Sequence, residues 1–152
     1  MKADIINEDH IKLLVDSFYK KAIADESLGH IFTDVAKVNW EHHLPVMYSF
    51  WESVLLGKKG YSGNPMENHF KLNEKITLTS DHFNTWKFLF IQTVEENFEG
   101  EVANLAKEKA RSIADLMFYK IHNNYNSHGP LTSHSTVSPV RRPCLRTRLG
   151  ET

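Results

Sequence analysis

The chain has 152 residues, 41% of them hydrophobic and 24% charged, with a formal net charge of −1. That is the size of one domain with room for a sizeable core, and the charge balance speaks against a nucleic-acid or anionic-membrane surface. The lone Cys144 excludes an internal disulfide or a cysteine metal cluster, whereas nine histidines make imidazole the first chemistry to weigh.

Met1-Lys2-Ala3-Asp4 carries no apolar run of signal-peptide type, and no segment is long and apolar enough to span a bilayer. A cytoplasmic location is the expectation. Asn7 suits a helix N-cap, with acidic Glu8 and Asp9 after it. Ile11, Leu14, Val15, Phe18 and Ala22 then keep the helical period, and the helix stops within Asp25-Glu26-Ser27-Leu28-Gly29. Tyr19 follows Val15 by one turn and faces either inward or to a wet rim. His30-Ile31-Phe32 is a short apolar piece between helices, with Phe32 buried.

Trp40 to Leu56 reads as a second long helix ended by Gly57, apolar over a broad arc and therefore buried. Leu44, Met47, Tyr48, Trp51, Val54 and Leu55 form one stripe, overlapped by His43, Met47, Phe50 and Val54. Pro45 must lie in its first turn or kink it. Adjacent His42 and His43 point apart, His43 to the apolar side and His42 to solvent. Residues 57–64 are a loop by composition. Pro65 can open a helical turn that groups Met66, His69 and Phe70 on one side. Residues 71–80 carry no clear period and read as irregular.

Thr79 or Ser80 caps a third long helix with Phe83, Trp86, Leu89, Phe90, Thr93, Val94 and Phe98 as its stripe. Gly100 breaks it. Val102, Leu105, Ala106, Ala110, Ile113, Ala114, Met117 and Ile121 mark a fourth, ending near Asn123-Asn124. No stretch alternates as strands do, so the chain is all-α. The domain is expected to span 1–128. The segment 129–152 reads as a disordered end or an added extension, since residues 131–152 have no aromatic side chain and carry four arginines against one glutamate.

There is no glycine-rich phosphate loop, no His-Glu-x-x-His zinc helix and no nucleophile elbow. A two-histidine non-haem site would want a carboxylate beside His43 and His69, and neither Glu52 nor Glu67 shares an apolar stripe with a histidine. A haem needs a flat apolar slot and one strong axial ligand. Phe32, Met47, Phe50, Met66 and Phe70 are candidate walls, His69 the candidate axial ligand, and Tyr19, His43 and Trp86 candidate polar tips. The same stripes also suit an ordinary helical core, that of a cofactor-free regulatory or protein-binding module.

Several pieces together resemble a group III truncated haemoglobin. They are Phe18-Tyr19, Leu28-Gly29-His30-Ile31-Phe32, His43, Phe50-Trp51-Glu52, Leu55-Leu56-Gly57, Tyr61-Ser62-Gly63-Asn64-Pro65, His69, His82-Phe83, Trp86 and Ala110 to Ala114. The resemblance covers roughly residues 5–123, and the chain lacks the paired-glycine loops of the other truncated groups. It implies a globin-like two-on-two helical sandwich around haem b, with iron held by His69. The helices of Tyr19 and His43 would form one pair and those of Trp86 and Ile113 the other. Tyr19 and Trp86 would take the distal donor positions, His43 the distal gate, and Phe32, Met47 and Phe50 the haem wall. It further implies diatomic partners (oxygen, nitric oxide, carbon monoxide) and oxygen binding or transport. Nitric oxide dioxygenase or peroxidase-like turnover would draw on an external reductase that this chain does not contain.

Overall fold

The computed structural model describes the chain over residues 2–127, with side chains described to Asn123. The expected tail at 129–152 and Cys144 lie outside the described residues. Residues 1–118 form one compact unit, and residues from Tyr119 onward belong to a second. Among the described residues all regular structure is helical: α1 Glu8–Ala24, α2 Glu26–His30, a π-helical turn Ile31–Val35, α3 Trp40–Leu56, α4 Pro65–Lys75, α5 Ser80–Asn97 and α6 Glu101–Ser127.

The caps follow from sequence. The Asn7 side chain accepts from the His10 N–H at the start of α1, and Asp25 does the same for Ser27 and Leu28 at α2. Gly57 closes α3 at φ 70°, a left-handed conformation that a β-carbon disfavours. Thr79 caps α5 in a reciprocal box with His82: the Thr79 hydroxyl accepts from His82 N–H, and His82 Nδ1 accepts from Thr79 N–H at 3.0 Å.

The core of the first unit is built on α1, which packs against both α3 and α5. Ile11, Leu14, Val15, Phe18 and Ala22 are all buried, as their spacing predicts. Phe90 of α5 lies stacked between Trp51 and Trp86, with ring centroids 4.6 and 5.5 Å away, and Phe18 meets its edge at 5.3 Å. Helices α5 and α6 run antiparallel, bridged by Lys87–Asp115 at 2.6 Å and Lys107–Glu95 at 3.3 Å.

The residues before α1 are tied to the α5–α6 turn. Asp4 accepts backbone N–H bonds from Ile5, Val102 and Ala103 at 2.8 to 3.0 Å, so it caps α6 from a distance of some hundred residues. Burial alone would raise its pKa, but these bonds hold it below the ordinary carboxylate value. Gly100, at φ 142°, leaves room for it: a β-carbon there would fall 2.4 Å from Asp4 Cγ. Ile5 is wholly buried.

Several expectations change. The irregular reading of 71–80 fails over its first half, because α4 continues to Lys75. Phe32 is only half-buried and Ile31 takes the buried place, because the π turn rotates the segment. Pro45 lies inside α3, beyond its first turn. In α3 only Trp51 and Leu55 are buried. Much of its apolar arc faces a cavity instead.

Candidate functional site

That cavity lies within the first unit. Its walls are Tyr19 from α1, Leu28, Ile31 and Phe32, then Val46, Met47, Phe50 and Trp51 from α3. Pro65, Asn68, His69 and Leu72 of α4 face these, with His82, Phe83 and Trp86 of α5 and Ile113, Ala114 and Met117 of α6. Its volume of about 210 Å³ far exceeds the roughly 10–15 Å³ that one water needs, so it is not a packing fault.

The structure brings together Tyr19, Phe32, His43, Met47, Phe50, His69 and Trp86 on this one cavity. Met66 and Phe70 do not line it. Helical rotation of about 100° per residue puts positions 65, 68, 69 and 72 on one face and carries 66 and 70 well around the side. Pro65, Asn68 and Leu72 are therefore the α4 wall that reading from His69 to its two apolar neighbours missed.

Each histidine of the cavity is held by a different partner. His69 Nδ1 lies 2.7 Å from the Pro65 carbonyl oxygen. A carbonyl only accepts, so Nδ1 carries the proton, and in the neutral ring Nε2 holds a free lone pair. Burial lowers the His69 pKa, against the opposite pull of the Pro65 bond, so the neutral form prevails at neutral pH. His43 Nε2 lies 3.1 Å from the Tyr19 hydroxyl. Burial, then His69 and His42, lower the His43 pKa as well.

Tyr19 is buried, 7% exposed, and burial raises its pKa, so it is a phenol and never a phenolate at physiological pH. Its ring belongs to an aromatic group with Phe32, Trp40 and His43, centroids 5.3 to 5.7 Å apart. The sequence shows Trp40 only as the first residue of a helix; nothing in its spacing reveals that it packs on Tyr19. Trp86 is held by Phe90 beneath it and the edge of Phe18 at 5.4 Å.

Among the described residues no three His, Cys, Asp or Glu side chains come together for a metal ion. A metal bound here would find in His69 Nε2 an imidazole lone pair free of the Pro65 bond, and would need further coordination from a planar organic ring. One free imidazole lone pair in a mostly apolar slot is the donor set a haem requires, so the residues present fit that group. Among the described residues, no helix is long and apolar enough to cross a membrane.

No protein-family model matches the chain. It is 29% identical over 131 residues to the group 3 truncated hemoglobin ctb of Campylobacter jejuni subsp. jejuni serotype O:2, covering 84% of this chain and 100% of that protein. Its fold is similar to the crystal structure of the group III truncated hemoglobin from Campylobacter jejuni, with a TM-score of 0.69 and 27% identity, over 80% of this chain and 95% of that one.

Proposed function

We propose, from a sequence and an all-α fold that are those of a group III truncated haemoglobin, that this chain is a haem protein taking up diatomic ligands. The observation that carries the reading is the His69 ring: Nδ1 is committed to Pro65 and the ring lines an apolar cavity. When bound, a haem supplies an iron with an open position for oxygen, nitric oxide or carbon monoxide.

The chain's own residues divide the work. His69 Nε2 would hold the haem iron, and the Pro65 carbonyl fixes the tautomer and orientation of the ring, as metal-binding histidines commonly require. Phe32, Met47 and Phe50 present apolar walls that exclude water. Met66 and Phe70, off the cavity lining, have no part in this reading. Tyr19 supplies a hydroxyl proton and Trp86 an indole N–H toward the ligand side. A diatomic ligand that gains negative charge accepts these bonds, while one that stays neutral gains little. His43, the hydrogen-bond partner of Tyr19, stands as the gate. Haem b is the prosthetic group in this reading. Nitric oxide dioxygenase or peroxidase-like turnover would take electrons from a separate reductase.

The test is the visible spectrum of the purified protein, before and after adding haemin. A Soret band that shifts on reduction and again on carbon monoxide supports the reading. No Soret band after haemin is added would leave a cofactor-free helical module.

A further inference from the structure

We propose that His82 binds a propionate carboxylate of the haem; the inference rests on the haem reading above. A haem carries carboxylates on one edge, and a buried or half-buried carboxylate needs donors. No lysine or arginine is among the residues that line the cavity. Tyr19, His43 and Trp86 serve the ligand side, His69 Nε2 is a lone pair, and the Tyr61 hydroxyl and Asn68 amide on the lining have no bond among the described residues that fixes their direction, so none of these presents a donor whose proton a backbone bond holds in place.

His82 does. Its Nδ1 accepts the Thr79 backbone N–H at 3.0 Å, and a backbone N–H only donates. Nδ1 is therefore unprotonated, and the neutral ring carries its proton on Nε2. That N–H has no protein acceptor among the described residues, on a ring that is half-buried and lines the cavity. His69 and His82 thus sit on one cavity in opposite tautomers, each set by a backbone group: one presents a lone pair, the other an N–H. The first suits a metal and the second an anion. Leu78 and Phe83 line the same cavity as His82.

Substitutions at 82 separate this role from capping. Thr79-x-x-Glu and Thr79-x-x-Gln are both sound capping boxes, so His82→Glu and His82→Gln keep the bond to Thr79 N–H. Glutamine also keeps an N–H donor, whereas glutamate sets an anion against the carboxylate. Loss of ferric haem to an excess of apomyoglobin, followed at the Soret band, reads the difference, with apoprotein melting temperature as the control. His82→Glu should speed haem loss about tenfold or more, the weight of one hydrogen bond to a charged group. His82→Gln should stay near wild type, and the two apoproteins should melt alike. Reconstituted with haemin dimethyl ester, wild type and His82→Glu should lose the ring at similar rates. Equal loss of haem from wild type and His82→Glu overturns the proposal, as does an equal ratio with the ester. Failure of the wild type to form a Soret band at all would instead overturn the haem reading, and this one with it.

Discussion

The hydroxyl of Tyr19 and Nε2 of His43 lie 3.1 Å apart, and the two side chains share a single bond whose direction depends on the His43 tautomer. With its proton on Nδ1, His43 accepts the phenol O–H at Nε2. With its proton on Nε2, His43 donates to Tyr19, and the phenol proton is left for another acceptor. Tyr19→Phe keeps the ring and its contacts with Phe32 and Trp40 but deletes the donor. Oxygen dissociation should rise by roughly 10- to 100-fold, from about 1.5–3 kcal/mol for a hydrogen bond to a charged group. Carbon monoxide release should change far less. Stopped-flow displacement measures both, and an equal change in the two would remove Tyr19 from the donor role. The Tyr19→Phe, Trp86→Phe double variant should show less than additive loss, since both donors serve one acceptor.

His69→Gly should abolish stable haem uptake, with partial recovery in added imidazole, which fits the space and restores a nitrogen lone pair. An unchanged Soret band without imidazole would exclude His69 as the axial ligand.

His43→Ala removes a half-buried ring that packs on Tyr19 and Trp40. Opening that side should speed carbon monoxide association after flash photolysis more than it alters oxygen release. An effect limited to release would instead mean a direct bond from His43 to the ligand.

Asp4→Asn tests the distant cap of α6. Helix caps are worth about 0.5–2 kcal/mol, so the melting temperature at neutral pH should fall by several degrees. The folded pKa is depressed, so this stabilisation is complete above the unfolded value near 3.8 and fades as pH falls through the lower folded value. The gap between wild type and variant should therefore close in acid. A gap that persists unchanged at low pH would show that the carboxylate charge is not what counts.

Much of the scaffold was legible because it obeys local rules. The α1 stripe, the Asn7 and Thr79 caps and the Gly57 and Gly100 breaks all appear as expected. The readings failed where a helix borders the cavity rather than packed protein. Helix α4 has no buried residue, and between Phe70 and Ser80 only Leu72, Ile76 and Leu78 break a polar run, so periodicity had little to register. Its wall face is narrow because its partner is not another helix. Helix α3 errs in the opposite sense: its arc is wider than the buried pair Trp51 and Leu55 requires, and the surplus is cavity lining. The π turn, closed by Ala36 N–H to Ile31 O at 2.7 Å, has a hydrogen-bond spacing that matches neither template and so left no periodic mark. Which of two neighbours is buried there, Ile31 or Phe32, depends on that extra residue.

All three tryptophans of the chain, Trp40, Trp51 and Trp86, lie on the cavity or on the aromatic group beside it. The indole emission of this protein thus originates entirely from the neighbourhood of whatever fills the site. A strongly absorbing macrocycle seated there would drain that emission by energy transfer. The chain needs no added dye: the fall in its ultraviolet fluorescence during a titration counts filled molecules, and its return counts emptied ones.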